Sequence, residues 1–383
     1  MLRVAGTVAA GLAGLALMAG CGSSGSDKNS GSSGSGSSSG SGSTSAKLTN
    51  ARQTTPPQYK GPTSPVKAPA KLTVAAITCS SQLSGCVSPA TGLKAAGQKL
   101  GWNVRVYDGG GTPQKQNAAM LDAISAGAKV IANIAIDPNL VQQGLRAAKR
   151  ANVLVVSGSN GIDTPNPVQK PTGGKLGYAF DVAPDYAALG RKAADWIIGD
   201  SSGKANIAVF TDPEFPSVIA FQNGLLQGLK ACSSCKISSL QKFNGTQVGT
   251  TLGNQTTGYL RSHPEVNYVF SPYDPAAAAQ VTAIATAGMA NKVKVVGVLG
   301  SQQNVDFIRK GQVQAADAAY DNRYMGYMLA DQINRTLAKK PLFDPHGGYM
   351  PFTVLDKNNL PPSGADWTAR FDYPAKFAQL WKG

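Results

Sequence analysis

The fold class follows from residues 112–160, "TPQKQNAAMLDAISAGAKVIANIAIDPNLVQQGLRAAKRANVLVVSGSN". Segments typical of amphipathic helices alternate here with two short apolar runs, "AKVIANIAI" and "NVLVVSGSN", that have the length and composition of buried strands. The first helical segment ends in a glycine, as expected of a residue that closes a helix in the left-handed conformation. Strands that are separated by single helices predict a parallel sheet covered by helices on both faces.

The same alternation continues in both directions along the chain. It includes "LTVAAIT" and "WNVRVYD" upstream, and "KANIAVFTD", "VNYVFSPYD" and "KVKVVGVLG" downstream. Two consecutive α/β units of roughly 110–140 residues each exceed what one hydrophobic core usually organises, so we predict two lobes. Ligands of such sheets bind beyond the carboxyl ends of the strands. Two lobes that face each other would therefore form a cleft able to close about a hinge.

The N-terminus predicts export from the cytoplasm. Residues 1–20, "MLRVAGTVAAGLAGLALMAG", contain one cation and an apolar run too short to span a bilayer, and they end in small residues directly before Cys21. The stretch "LMAGC" resembles a bacterial lipobox, which implies that Cys21 is acylated and holds the protein on the extracytoplasmic side of the cell membrane. A cleaved signal peptide with an incidental cysteine is the alternative. Residues 21–71, rich in Ser and Gly and then in Pro, predict a tether.

The chain has 5 cysteines, and those after Cys21 form two close pairs, Cys79 with Cys86 and Cys232 with Cys235. In an exported protein, such pairs predict disulfides. A zinc site would need further ligands, and His263 and His346 are each isolated in sequence. "CSSC" has the spacing of a redox motif, but it follows a helical segment, whereas a reactive thiol usually lies at a helix N-terminus.

Charge and motifs exclude several classes of function. Of the net charge of +15, residues 1–71 contribute +6 and the body +9, with no run of Lys and Arg interleaved with aromatic residues. We therefore predict no nucleic-acid partner. There is no G-x-S-x-G motif, and His263 and His346 lie in loop-like segments with no evident nucleophile partner, so we predict that the protein is not an enzyme. "DGGGTP" lacks the lysine of a phosphate-binding loop, and we predict neither cofactor nor metal.

Several segments together carry a family resemblance. "KLGWNV", "ISAGAKVI", "AKRANVLVV" and "DVAPDYAALGRKAADWI" make residues 72–383 resemble the sugar-type (ribose-binding-like) periplasmic binding proteins of bacterial ABC importers. The resemblance implies a type I fold, an α/β class with two Rossmann-like lobes, parallel central sheets and a three-crossover hinge. It implies an N-terminal lobe of residues 72–181 plus 322–346, and a C-terminal lobe of residues 182–321 plus 347–383.

In this family, ligand contacts come from loops that follow strands. Carried over residue by residue, the resemblance implies that the ligand-binding residues here are Ser80, Ser81, Gln82, Ser159, Asn160, Phe180, Asp181, Asp212, Phe215, Tyr273, Asp274, Leu299 and Tyr320. Where ribose-like members carry an arginine, an acidic residue and a glutamine, this chain has Ile219, Leu299 and Ala319. Buried polar groups left unpaired cost about 1–3 kcal/mol each, so an apolar pocket disfavours many hydroxyls. We therefore expect a ligand less hydroxylated than a sugar.

The function implied by the resemblance is that of a solute receptor. It would capture a small molecule between its lobes, close, and present the closed form to an ABC permease in the membrane, acting as a monomer. A disulfide between Cys79 and Cys86 would shape the rim of the cleft. Two alternatives stay open: a sensory receptor of the same fold that signals to a membrane partner without transport, and a ligand-free member with a structural role.

Overall fold

The computed structural model describes residues 39–69, 71–162, 175 and 177–382. The predicted signal peptide, Cys21 and the first part of the predicted tether lie outside these residues. In the part of the chain that is described, no helix is both long and apolar enough to cross a membrane. The chain begins there with helix α1 (Ser39–Arg52).

The first lobe is built on a parallel sheet with the strand order β2-β1-β3-β4-β5. Its strands are β1 (Thr73–Thr78), β2 (Asn103–Asp108), β3 (Val130–Ile134), β4 (Leu154–Gly158) and β5 (Asp181–Val182). Helices α2 (Ser84–Leu100), α3 (Pro113–Ser125) and α4 (Gln142–Arg150) connect the first four strands. Every residue of β3 is buried, as expected of an inner strand covered on both faces.

The second lobe contains a six-stranded sheet of order β11-β10-β9-β8-β6-β7, in which only β11 is antiparallel to its neighbour. Its strands are β6 (Asn206–Thr211), β7 (Lys236–Lys242), β8 (Tyr268–Phe270), β9 (Lys294–Leu299), β10 (Gln314–Tyr320) and β11 (Phe352–Leu355). The helices of this part are α5 (Tyr186–Asp200), α6 (Pro216–Leu229), α7 (Leu252–Ser262), α8 (Asp274–Thr286) and α9 (Gln302–Arg309). The predicted fold class, two lobes with parallel sheets, is confirmed.

Helix α10 (Asn322–Leu337) leaves the second sheet and packs on α2 of the first lobe. The two helices approach so closely that a Cβ on Gly326 would lie 2.1 Å from the backbone nitrogen of Leu93, and a Cβ on Gly92 would lie 2.4 Å from the carbonyl oxygen of Arg323. Glycine at both positions therefore permits backbone-to-backbone packing. The chain passes between the sheets after β5, after β10 and again before β11.

The last helix, α11 (Tyr373–Leu380), differs in position from our expectation. We placed residues 347–383 in the C-terminal lobe, but α11 packs on α2 and α10 of the first lobe. The Phe377 ring lies 5.8 Å from that of Tyr327, and the Trp381 indole donates a hydrogen bond of 3.0 Å to Asp331. An aromatic stripe on α11 thus buries itself against an aromatic stripe on α10, which the strand and helix pattern alone does not reveal.

Residues 44–66, which we call the N-terminal strap, form part of the folded body, although we predicted a tether as far as residue 71. On the second lobe, Lys47 pairs with Asp195 at 2.5 Å, and the Lys192 ammonium donates to the carbonyl oxygens of Asn50 (2.6 Å) and Gln53 (2.7 Å). The strap therefore begins by binding α5. Its attachment uses ion pairs and backbone carbonyls, which composition does not predict.

The remainder of the strap contacts β11 of the second lobe and then the first lobe. Thr55 exchanges two backbone hydrogen bonds with Phe352 of β11, of 2.8 and 3.0 Å. The Tyr59 ring then packs edge-on against Phe377 of α11, with centroids 6.1 Å apart. Further along, the carbonyl oxygen of Val66 accepts a hydrogen bond of 2.8 Å from Asn334 of α10. The strap thus binds elements of both lobes.

Candidate functional site

Loops at the carboxyl ends of strands from both sheets enclose a small cavity of about 50 Å³ between the lobes. Among the described residues, most of the side chains around it are apolar or aromatic, and none is a lysine, arginine, aspartate or glutamate. Its lining residues are Leu83, Gly85, Cys86, Ala135, Ser159, Tyr186, Phe215, Ser217, Val218, Phe221, Pro272, Tyr273, Pro275, Val298, Leu299 and Tyr320. The cavity therefore presents apolar surface with a few hydroxyl groups.

Two of these hydroxyl groups meet across the lobes. Ser159, after β4 in the first lobe, and Tyr186, at the start of α5, have their hydroxyl oxygens 2.9 Å apart. The Tyr186 ring lies edge-on to that of Tyr320, with centroids 5.5 Å apart. Burial raises the pKa of Tyr186 well above its usual range and that of Tyr320 to about 12. Both phenols therefore stay protonated at neutral pH and can donate a hydrogen bond to a ligand.

A second polar pair closes the cavity on the side of the second lobe. The Tyr273 hydroxyl donates a 2.9 Å hydrogen bond to Asp212, whose other oxygen accepts from the backbone nitrogen of Glu214 at 3.1 Å. Burial raises the pKa of Asp212 to about 6, and the hydrogen bonds from Tyr273 and Glu214 oppose this shift. Phe215 packs edge-on against Tyr273, with centroids 6.0 Å apart. The carboxyl group is thus turned toward Tyr273 and does not line the cavity.

A wider opening of about 600 Å³ lies outside this cavity, along the loop that follows β1. Ser80 and Gln82 line it. Ser81 instead donates a 2.7 Å hydrogen bond to Asp108 at the end of β2. The loop is closed by the disulfide between Cys79 and Cys86, and the second predicted disulfide, Cys232–Cys235, is also present.

The comparison with known families agrees with this geometry. Residues 80–341 match the family described as "Periplasmic binding protein domain". This chain belongs to that family. A curated member of similar sequence is the ribose import binding protein RbsB of Escherichia coli (strain K12), which is 24% identical over 278 residues, covering 71% of this chain and 89% of that protein.

Solved structures of other periplasmic binding proteins share the two-lobed fold. A solute-binding protein from Agrobacterium vitis, bound with alpha-D-tagatopyranose, superposes with a TM-score of 0.66 at 17% identity, covering 75% of this chain and 95% of its own. The Caulobacter myo-inositol binding protein, bound to myo-inositol, gives a TM-score of 0.61 at 23% identity, with coverages of 77% and 95%. At these identities the similarity establishes the fold.

The structure brings five of the residues predicted from the family resemblance into the inner cavity. These are Ser159, Phe215, Tyr273, Leu299 and Tyr320. Two others, Ser80 and Gln82, line the outer opening. Three of these five residues are aromatic, and Leu299, where ribose-like members carry an acidic residue, contributes an isobutyl group. Ile219 and Ala319 are not among the residues that line the cavity.

Other predicted residues lie beneath the loops and shape them. Asp181 accepts hydrogen bonds from Ser157 and from the backbone nitrogen of Gly161, the latter at 2.7 Å. Asn160 donates a 3.0 Å hydrogen bond to the carbonyl oxygen of Ile136. Asp274 accepts from the backbone nitrogen of Ser301 at 2.7 Å. Like these three, Phe180 and Asp212 are fully buried and are not among the residues that line the cavity.

Several lining residues were not predicted from the sequence. Val218 and Phe221 lie in the first two turns of α6, where their spacing is that of an ordinary core-facing stripe. Leu83 belongs to the loop after β1, which we interpreted through its polar residues. Tyr186, in contrast, directly follows the first crossover between the lobes, and its position there could have indicated that it lines the cleft.

The described residues contain no group of three or more His, Cys, Asp or Glu side chains that could hold a metal ion. The hydroxyl groups of Ser159, Tyr186 and Tyr320 are the polar groups best placed to orient a bound molecule. With apolar side chains around them, this arrangement suits a small ligand that has an apolar surface and few hydroxyl groups.

Proposed function

We propose that this protein is the solute-binding component of an ABC importer and that it captures a small molecule with fewer hydroxyl groups than a sugar. Membership of the periplasmic binding protein family and the cleft between the lobes support the binding role. Curated relatives named for ribose import and D-allose binding support the link to sugar-like solutes. Closure around the ligand would create the form that engages the permease.

The chemistry of the cavity lining carries the proposal on ligand class. A polyol buried in this cavity would need a partner for each hydroxyl group, because each unpaired group costs about 1–3 kcal/mol. The lining offers Ser159, Ser217 and three tyrosines, and the Tyr273 hydroxyl is already bonded to Asp212. Leucine, valine, phenylalanine, proline and alanine side chains form the rest, together with Gly85 and the disulfide-bonded Cys86. A ligand with one or two hydroxyl groups and an apolar body matches the few hydroxyl groups and the apolar side chains of this lining.

Ligand-induced stabilisation of the purified full chain tests the ligand class. The panel contains pentoses, hexoses and polyols, together with deoxy sugars, alicyclic alcohols and small aromatic alcohols. A ligand present at 100 times its Kd adds about 2.7 kcal/mol to the free energy of unfolding, a shift easily measured by scanning fluorimetry. Stabilisation by the less hydroxylated compounds alone supports the proposal, and stabilisation by hexoses alone contradicts the ligand class while retaining the receptor.

The transport role has its own experiment. Uptake of the radiolabelled ligand is measured in cells of the source bacterium with and without the gene. Loss of uptake supports import. Normal uptake together with loss of a transcriptional response to the ligand would instead identify a sensory receptor of the same fold.

We also propose that Cys21 is acylated and anchors the protein outside the cell membrane. Support comes from the apolar run and small residues that precede it in sequence. Metabolic labelling with an alkyne fatty acid, followed by fractionation, tests this role. Label and membrane association that disappear in C21S support it, and a wild-type protein that is unlabelled and released into the medium contradicts it.

A further inference from the structure

Leu299, the last residue of β9, has an unusual backbone conformation and an unusual contact. Its φ angle is +131°, in a region that favours glycine and that side-chain-bearing residues rarely adopt. Its side chain points across the cleft to α2 of the first lobe, where its Cδ2 atom lies 3.2 Å from the position that a Cβ of Gly85 would occupy. A conformation that carries strain thus places an isobutyl group between the lobes.

The turn that follows Leu299 is held by a dense set of hydrogen bonds. The backbone nitrogen of Gly300 donates to Asp317 at 2.8 Å, and that of Ser301 donates to Asp274 at 2.7 Å. The carbonyl oxygen of Gly300 accepts from the backbone nitrogen of Trp367 at 2.8 Å. Both carboxyl groups are fully buried. Strain of this kind persists only where the surroundings over-determine the conformation, and these bonds meet that condition.

The apolar side chain of Leu299 affects which ligands the cavity can bind. An isobutyl group offers no hydrogen bond, so a hydroxyl group pressed against it on closure loses water and gains no partner. An apolar group at the same place fills the contact without this penalty. The Leu299 side chain therefore discriminates by polarity, whereas the hydroxyl groups of Ser159 and Tyr186, which line the same cavity, can orient a hydroxyl group.

We propose that Leu299 is a specificity-determining residue, which the strained turn fixes in the cleft so that the end of the ligand facing it must be apolar. This inference rests on the proposed binding function and goes beyond it by assigning the selection to one side chain. It also assigns a positioning role to Asp274 and Asp317, which hold the turn through backbone nitrogens.

The selection is tested with one ring carrying different numbers of hydroxyl groups: cyclohexanol, trans-1,2-cyclohexanediol and myo-inositol. Titration calorimetry compares the wild type with L299N, which keeps the size of the side chain and adds an amide. We expect the ratio of myo-inositol affinity to cyclohexanol affinity to rise at least tenfold in L299N. The variant V218T adds a similar polarity elsewhere in the cavity, and a smaller change of this ratio is expected.

These titrations distinguish a failure of the role proposed for Leu299 from a failure of the proposed function. If the wild type prefers the less hydroxylated rings and L299N keeps the same preference, the role of Leu299 is overturned and the proposed function stands. An equal change in V218T and L299N also overturns it, because any polar group would then suffice. Binding of no ring compound to either protein contradicts the proposed ligand class, and the inference fails with it.

The strained turn is tested by stability, independently of any ligand. At most buried strand positions, a glycine variant melts below the alanine variant. At position 299 we expect L299G to melt at the same temperature as L299A or above it, because glycine adopts this φ angle without strain. At the neighbouring Val298, which has an ordinary φ angle, V298G is expected to melt below V298A. The same order at both positions would overturn the assignment of strain.

Discussion

Tyr273 and Asp212 form a buried hydrogen bond of 2.9 Å that joins the loop after β8 to the loop after β6. Burial raises the pKa of the Asp212 carboxyl group to about 6, from its usual value of 3.8. The folded protein therefore binds this proton more tightly than the unfolded chain does. Above pH 6 the group is a buried carboxylate that favours unfolding, and this unfavourable contribution disappears as the pH falls through 6 toward 4.

The variant D212N should reveal this linkage. It has no charge to bury, so its stability relative to the wild type should be more favourable at pH 7.5 than at pH 4, by about 1–3 kcal/mol. Urea unfolding of both proteins across this pH range measures the difference. The loss of one acceptor, for Tyr273 or for Glu214, does not depend on pH and cancels. A difference between the two proteins that is constant with pH would contradict the prediction.

The contact between Gly85 and Leu299 should couple the two lobes. In G85A the added methyl group would lie 3.2–3.3 Å from the Leu299 Cδ atoms, and relief of this crowding should cost about 1–3 kcal/mol in the free energy of unfolding. In the L299A background the methyl group has room, so G85A should cost much less there. Unfolding of the single and double variants gives the coupling energy. Additive effects would show that the contact is absent in solution.

The ion pair between Arg52 of the N-terminal strap and Asp356 should stabilise the protein. The two atoms lie 2.7 Å apart, and the Asp356 side chain is 5% exposed. R52A should lower the free energy of unfolding by about 1–2 kcal/mol, because it removes the cation from a buried carboxylate whose remaining side-chain donors are the uncharged Trp196 indole and Asn358 amide.

A surface pair provides the control for this prediction. Lys294 and Asp200 also lie 2.7 Å apart, but the Lys294 side chain is 50% exposed, so K294A should cost less than about 1 kcal/mol. Urea unfolding of the two variants measures the difference. Equal effects would show that the strap does not contribute through this ion pair.

The two disulfides should have different effects on ligand binding. Cys86 lines the inner cavity and Cys79 the outer opening, whereas Cys232 and Cys235 line neither. Replacing either pair with serine should lower stability by about 2–3 kcal/mol. The double variant C79S/C86S should in addition weaken ligand affinity, since its loop loses a fixed shape. Affinity of both double variants is measured by calorimetry with a ligand found in the panel, and an equal affinity in both would contradict a role of the first disulfide at the rim.

Sequence patterns predicted the fold class. Every residue of β3 is buried, and a strand that is buried on both faces can be recognised in sequence as a continuous run of about five or six apolar residues. Loops at the carboxyl ends of parallel strands then converge by the geometry of the sheet. The family resemblance implied that Phe215, Tyr273 and Tyr320 line the cleft, and all three lie around the inner cavity.

The direction of each polar side chain was not predictable in this way. Asn160 follows β4 and Asp181 begins β5, yet both side chains turn inward: Asp181 accepts from the backbone nitrogen of Gly161, and Asn160 donates to the carbonyl oxygen of Ile136. Which polar groups a loop side chain pairs with depends on the packed backbone, because most buried polar groups are hydrogen-bonded to whatever partner the packing brings near them. A polar residue at a strand end is therefore a candidate that only the tertiary structure assigns.

The sequence by itself determined that this chain forms two parallel-sheet lobes with a cleft between them, because hydrophobic periodicity is local and is written in consecutive residues. The tertiary structure alone decided that residues 44–66 bind both lobes, that α11 returns to the first lobe and that Leu299 faces Gly85. Those contacts join residues far apart along the chain. Which residues meet in such contacts depends on the shapes of the packed surfaces and on the polar groups that still lack a partner there, and both are defined only once the lobes have packed.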